Sequence, residues 1–308
     1  MNLQHLFFIG LTGLFISYYI SEYTHITHTD RVLSRKFQTK NKKIDSISTR
    51  KIIGTDELQV MDPFLRFTHY KLKKSQGLLD HPHSGYDTIT YILSGHLAYE
   101  DFRNNSGILS QGDTQWITTG KGLVHAEIAE SETCEILQIW LSLKLDYKLC
   151  DLTYQNLLDD DIIKATNNEG VTVKILSGES LGRWSYTITR TQAYVLDAIL
   201  DDKALWQTDI PAGWNCMLYI LYGEVYIEDD KLKQFEAGML SQWDTDLTVR
   251  CVGGCRVILI AGEVLDEMIV NYGQFFMPNY PMVEKASRDY KTGKDGFEGS
   301  LEWRSKFN

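Results

Sequence analysis

Beyond residue 50 the chain alternates short apolar runs with turn-forming residues. Residues 88–93 (TITYIL) are β-branched and aromatic and stop at Ser94-Gly95, the mark of a strand entering a turn. Residues 96–102 (HLAYEDF) follow as a second strand, and residues 103–107 (RNNSG) read as a turn. GILSQGDTQWITTG then gives a short strand, a Gly-Asp turn and a further strand. Short strands at regular spacing with glycine turns predict an all-β sandwich or barrel.

The pattern occurs twice. YILSGHLAYED (91–101) aligns without a gap on YILYGEVYIED (219–229), and LSQGDTQW ending at Trp116 resembles FEAGMLSQW ending at Trp243 with one insertion. A spacing of 128 residues between Tyr91 and Tyr219 predicts two copies of one β domain. The acidic stretch 151–165 reads as the link between them, residues 282–293 as a closing helix, and GFEGSLEWRSKFN as a polar tail. The boundaries are an apolar segment at 1–30, a first domain at 31–150, the linker at 151–165, and a second domain with helix and tail at 166–308.

Composition adds limits. With 43% hydrophobic and 23% charged residues and only five prolines, the 308-residue chain is a folded globular protein. A net charge of −10 excludes a broad nucleic-acid footprint, so no direct nucleic-acid partner is expected. Residues 6–20 (LFFIGLTGLFISYYI) are uncharged and apolar, shorter than the roughly 20 residues of a full membrane span. The basic run 31–43 that follows would hold the body of an anchored protein in the cytosol; a cleaved signal peptide or a misplaced start are the alternatives. The five cysteines are odd in number and include no CxxC pair, so no disulfide framework is expected, and Cys251 and Cys255 read as free thiols in a reducing compartment.

The chemistry concentrates in two short motifs. HPHSGYDT holds His81 and His83, and GKGLVHAEI holds His125 and Glu127. Both pairs have i, i+2 spacing, which places each pair on one face of a strand. Two such strands facing each other inside a barrel would gather His81, His83, His125 and Glu127 around one point. Three neutral imidazoles and a carboxylate suit a divalent transition metal with open positions: iron, or nickel, manganese, copper or zinc. None of the eight histidines lies after residue 125, and in the repeat His81 and His83 fall on Asp209 and Pro211. One metal per chain, in the first domain, follows. His69 reads as structural and His96 as a surface residue; the alternative for the motifs themselves is four satisfied polar residues without a metal.

MDPFLRF (61–67), DHPHSGYDTITYILSG, AYEDF, GILSQGDTQWITTGKGLVHAE, LQIWLSL (137–143) and GFEGSLEWRSKF, in this order from about residue 30 onward, resemble the pirin family of bicupins. The resemblance implies two tandem cupin β-barrels with a short C-terminal helix. It also implies one iron held by His81, His83, His125 and Glu127, and a quercetin 2,3-dioxygenase-like activity. A flavonol, or a similar small phenolic substrate, would bind through its ionised hydroxyl, with Glu127 as proton acceptor. The family equally implies an iron- and redox-dependent transcriptional co-regulator of the nucleus or cytoplasm, acting through protein contacts with transcription factors. The chain departs from the usual pirin pattern at Ser84 (usually Arg), Asp87 (Glu), Tyr99 (His) and Lys121 (Arg). These changes spare the ligands and alter their surroundings.

Overall fold

The computed structural model describes residues 30–307, and these are mostly β-strand, arranged as two cupin domains and one short C-terminal helix. In the first domain a seven-stranded antiparallel sheet runs in the order Thr153–Leu157, Thr114–Thr118, Tyr86–Ser94, Thr133–Ser142, Phe64–Lys73, Ile47–Ile53, Asn41–Ile44. A four-stranded sheet faces it, in the order Gly77–His83, Leu123–Ala129, His96–Asp101, Ser106–Ser110. The second domain is built on one nine-stranded sheet with the long strands Asn215–Ile227 and Asp246–Gly262 paired at its centre.

The strand Tyr86–Ser94 is buried on both faces, and its alternation shows why. Ile92 packs between the two sheets of the first domain. Ile89, Tyr91 and Leu93 point the other way, into an apolar layer shared with Met217, Tyr219 and Ile260 of the second domain. Period-2 geometry makes one strand serve two cores.

The repeat reappears as paired polar contacts across this layer. Tyr91 Oη donates to Asp197 Oδ2 at 2.5 Å, and its counterpart Tyr219 Oη lies 3.0 Å from His69 Nδ1. His69 is thus structural, as expected. Asp197, fully buried, also receives a two-pronged contact from Arg256, Nε to Oδ1 at 2.9 Å and Nη2 to Oδ2 at 2.7 Å. Removing one partner of a buried pair strands the other's charge. Asp197→Ala is therefore expected to destabilise the protein by about 3–5 kcal/mol; a urea midpoint within error of wild type would refute this.

Four features differ from the sequence expectations. The strand Leu33–Gln38 pairs with Glu236–Leu240, so the chain enters through the second domain's sheet before building the first. The stretch 151–165 is not a bare connection: Thr153–Leu157 extends the first domain's sheet and Ile163–Thr166 the second's. Cys251 and Cys255 form a disulfide, correcting the expectation of free thiols. In a straight strand residues four apart are about 13 Å apart; Gly253 and Gly254, at φ 78° and 83°, bend this one until the two Cα atoms lie 6.0 Å apart. Finally, the tail is anchored. Phe297 is fully buried against Phe275 and Tyr290 and lies so close to Gly122 that a Cβ there would meet the ring at 2.6 Å.

The helix is Tyr280–Thr292, capped by the Asn279 side chain accepting from the Met282 N–H and ended by Gly293 at φ 63°. Residues 6–20 lie outside the described residues. Among the described residues, no helix is long and apolar enough to cross a membrane.

Candidate metal centre

Gly77–His83 and Leu123–Ala129 are hydrogen-bonded neighbours in one sheet, not strands facing each other across the interior. The consequence is a tighter cluster. His125 stands directly opposite His81, where cross-strand side chains lie about 5 Å apart. A register shift between His125 and Glu127 sets Glu127 opposite Leu78.

The three imidazoles converge. His83 Nε2 lies 2.9 Å from His125 Nε2, which lies 3.2 Å from His81 Nε2, and one ligand nitrogen from each falls within 4.8 Å of the others. In His81 and His83 the outer nitrogens fix the tautomers. His81 Nδ1 is 2.8 Å from the Leu79 carbonyl, which only accepts, so Nδ1 carries the proton. Tyr86 Oη donates to the Gln274 carbonyl at 2.9 Å and so accepts from His83 Nδ1. Both Nε2 atoms are left as lone pairs aimed inward at His125. Burial lowers the pKa of all three rings, and for His83 and His125 the neighbouring imidazoles add to it. Three neutral imidazoles with converging ring nitrogens suit a transition-metal centre. His83 and His125 are buried and His81 is partly exposed, which opens the cluster to solvent on one side.

Glu127 is buried and is not one of the three clustered donors. Its Oε1 accepts from Thr90 Oγ1 and its Oε2 from Gln138 Nε2, each at 2.9 Å, both from the facing sheet. Burial pushes its pKa up to about 7 against the pull of these two hydrogen bonds.

Sequence reasoning did not single out the residues that hold the cluster from outside. Tyr86 stacks on Trp140 at 4.9 Å, and Phe276 meets both edge-on. Trp140 in turn stands edge-on to His83 at 5.2 Å. Gln274 and Phe276 come from the segment after Asp246–Gly262, the last strand of the second domain's sheet, which returns to cover the first domain. In sequence these aromatics look like ordinary core. The only local hint was the spacing of Tyr86, three residues after His83. Partners of this kind fix ring orientation, and their loss typically costs about 10- to 100-fold in metal affinity. Tyr86→Phe keeps the stacking and removes the hydroxyl. It is expected to weaken metal binding by about tenfold or more with little change in melting temperature; unchanged affinity in a chelator competition would count against it.

The departures from the pirin pattern are spread through the first domain rather than gathered on the cluster. Ser84 is buried and donates to the Gly120 and Lys121 carbonyls at 2.9 Å, tying one motif to the approach of the other. Asp87 accepts from Trp116 Nε1 at 2.8 Å, and its burial raises its pKa to about 6. The Tyr99 hydroxyl accepts from Asn156 Nδ2, and Lys121 is exposed and pairs with Asp151 at 2.9 Å. His96 is exposed, as expected.

Comparison with known proteins agrees with this architecture. Residues 46–141 match the family described as Pirin, and residues 195–296 match the Pirin C-terminal cupin domain. The chain is 39% identical over 264 residues to Pirin from Rattus norvegicus, covering 83% of this chain and 90% of that protein. Quercetin 2,3-dioxygenase from Acinetobacter baumannii shares the fold with a TM-score of 0.80 at 22% identity, covering 87% of this chain and 99% of that one. Bacterial pirin YhhW from Escherichia coli, solved in complex with nickel(II), shares it with a TM-score of 0.62 at 14% identity, covering 75% and 100%. From its matched domains, its relatives and its paired cupin folds, the chain belongs to the pirin family.

Proposed function

We propose that this protein is a metal-dependent dioxygenase of the quercetin 2,3-dioxygenase type, acting on a small phenolic substrate at the first cupin domain. The observation that carries this is the convergence of three imidazole Nε2 atoms, those of His81 and His83 as lone pairs and His81 partly exposed, in the strand pair that also carries the buried Glu127 carboxylate. The two neighbours named above support it: one is a quercetin 2,3-dioxygenase and the other was solved with nickel(II).

His81, His83 and His125 would hold the metal, with iron the assignment and nickel a donor-compatible substitute. Iron bound there would supply a Lewis acid for an ionised hydroxyl and a route for electrons to dioxygen. The protein's own part is orientation and proton handling. Tyr86 and the Leu79 carbonyl keep His83 and His81 in the tautomers that present Nε2. Thr90 and Gln138 hold Glu127 as the acceptor of the substrate hydroxyl proton. Service of Glu127 as a fourth ligand requires one carboxylate oxygen to exchange its Thr90 or Gln138 hydrogen bond for the metal.

The test is metal analysis of protein purified without added metal, followed by oxygen uptake with quercetin and a small panel of enolisable phenols. One metal per chain is expected, since the repeat positions of His81 and His83 in the second domain are Asp209 and Pro211. Two tightly held metals per chain would contradict this. Metal-loaded protein that consumes no oxygen with any phenol would remove the enzyme assignment in favour of a metal-dependent regulator that binds transcription factors.

A further inference from the structure

The second domain carries an aromatic cleft beside the strand that corresponds in the repeat to the one bearing His81 and His83. Its interior is filled by Trp206, aliphatic side chains and three cysteines, and it carries no imidazole. Yet the end bearing Asp209 and Pro211, the repeat counterparts of His81 and His83, opens on two adjoining cavities of about 450 and 270 Å³ that share Glu179, Tyr194 and Pro211. The apolar wall is Trp184, Tyr194 and Trp214; the polar wall includes Glu179, Gln207 and Asp209. Neither cavity is lined by a lysine or an arginine.

The geometry points to a carbohydrate-binding site for neutral saccharides in this cleft. Three observations carry the assignment. The cleft is prepared in advance: the fully buried Arg31 donates to the carbonyls of Trp214 at 3.1 Å, Pro211 at 2.9 Å, Ser241 at 2.6 Å and Gln242 at 3.3 Å. One guanidinium thereby pins the segment bearing Trp214 to the neighbouring loop, and a preset site loses less entropy on binding. Next, Trp184 is 62% exposed at the rim, a large ring face left to water where the cleft is deepest in aromatics. A pyranose presents a C–H face that packs on such a ring while its hydroxyls point outward. Last, the carboxylates of Glu179 and Asp209 accept hydrogen bonds from hydroxyls and repel anions. A flat aromatic ligand fits less well. Tyr194 and Trp214 meet edge-to-face at 72° with centroids 5.2 Å apart, so they do not form a parallel-walled slot.

The test is titration of the full-length protein with maltohexaose, cellohexaose and xylohexaose, followed by tryptophan fluorescence and calorimetry, with quercetin as the flat-ring control. Saturable binding of at least one hexasaccharide is expected. Trp184→Ala and, separately, Asp209→Ala should each weaken it roughly tenfold or more, the scale of one lost stacking or charge-assisted contact. Trp184→Tyr should retain most of the affinity, and metal content and melting temperature should stay at wild-type values. No binding of any of the three at about 10 mM, weaker than the usual range of specific recognition, would overturn the proposal. So would binding indifferent to both alanine substitutions, a quercetin site lost with Trp184→Ala, or a dimer that Trp184→Ala dissociates.

Discussion

His83→Ala is expected to abolish metal binding and leave a folded protein. His83 is a fully buried member of the cluster, 2.9 Å from His125 Nε2 and braced by Tyr86 and Trp140. Its loss leaves two imidazoles, of which only His125 is deeply buried. Where three ligands share a binding free energy of about 10–16 kcal/mol, each accounts for about 3–5 kcal/mol, so affinity should fall at least roughly a hundredfold. The folding cost is smaller. Emptying the space of one buried ring costs on the order of 2–4 kcal/mol, against apolar burial worth about 25 cal/mol per Å² across two packed domains. The checks are metal content after gel filtration and the unfolding transition. A variant that keeps its metal would remove His83 from the ligand set, and loss of cooperative unfolding would make the metal structural.

Glu127→Gln is expected to leave the metal in place and to lower phenol-dependent oxygen uptake by at least about a hundredfold, the usual contribution of a general base. The substitution is conservative in shape. Glu127 accepts one hydrogen bond from Thr90 and one from Gln138. A glutamine carbonyl retains the first, while its amide faces the Gln138 side chain, which can turn its own oxygen toward it. What is removed is the ability to take a proton. The Glu127 carboxylate bonds to Thr90 and Gln138 and to none of the three imidazoles, so metal affinity should change by less than about tenfold. Turnover near wild type in a metal-loaded variant would show that Glu127 handles no proton. Loss of the metal would show instead that the carboxylate is a ligand.

Much of the architecture was legible in the sequence because its signals are local. Strand alternation, glycine turns and the 128-residue repeat depend on residues near one another or on direct comparison of two segments, and these gave an all-β chain of two similar domains. The identity of the three clustered histidines was legible for the same reason: i, i+2 spacing puts His81 and His83 on one strand face whatever that strand pairs with. The absence of histidine from the second domain likewise needed no coordinates.

Pairing partners are non-local, and there the tertiary structure decided. That Gly77–His83 lies beside Leu123–Ala129, with His125 opposite His81, is a choice among possible neighbours that no spacing states. The register shift after His125 and the bonds from Thr90 and Gln138 set where Glu127 points; equal i, i+2 spacing made it look equivalent to the histidines. Tyr86 and Gln274 lie 188 residues apart and meet only because the chain returns from the second domain over the first. The tail is rich in polar residues, yet one of its aromatics, Phe297, finds a cavity that Gly122 leaves open. Cys251 and Cys255 are joined because two glycines at positive φ reverse what a straight strand would separate. Sequence thus determined which groups are available and which face of its own element each occupies; packing of distant segments determined which groups meet, because contact free energy belongs to pairs and not to single positions.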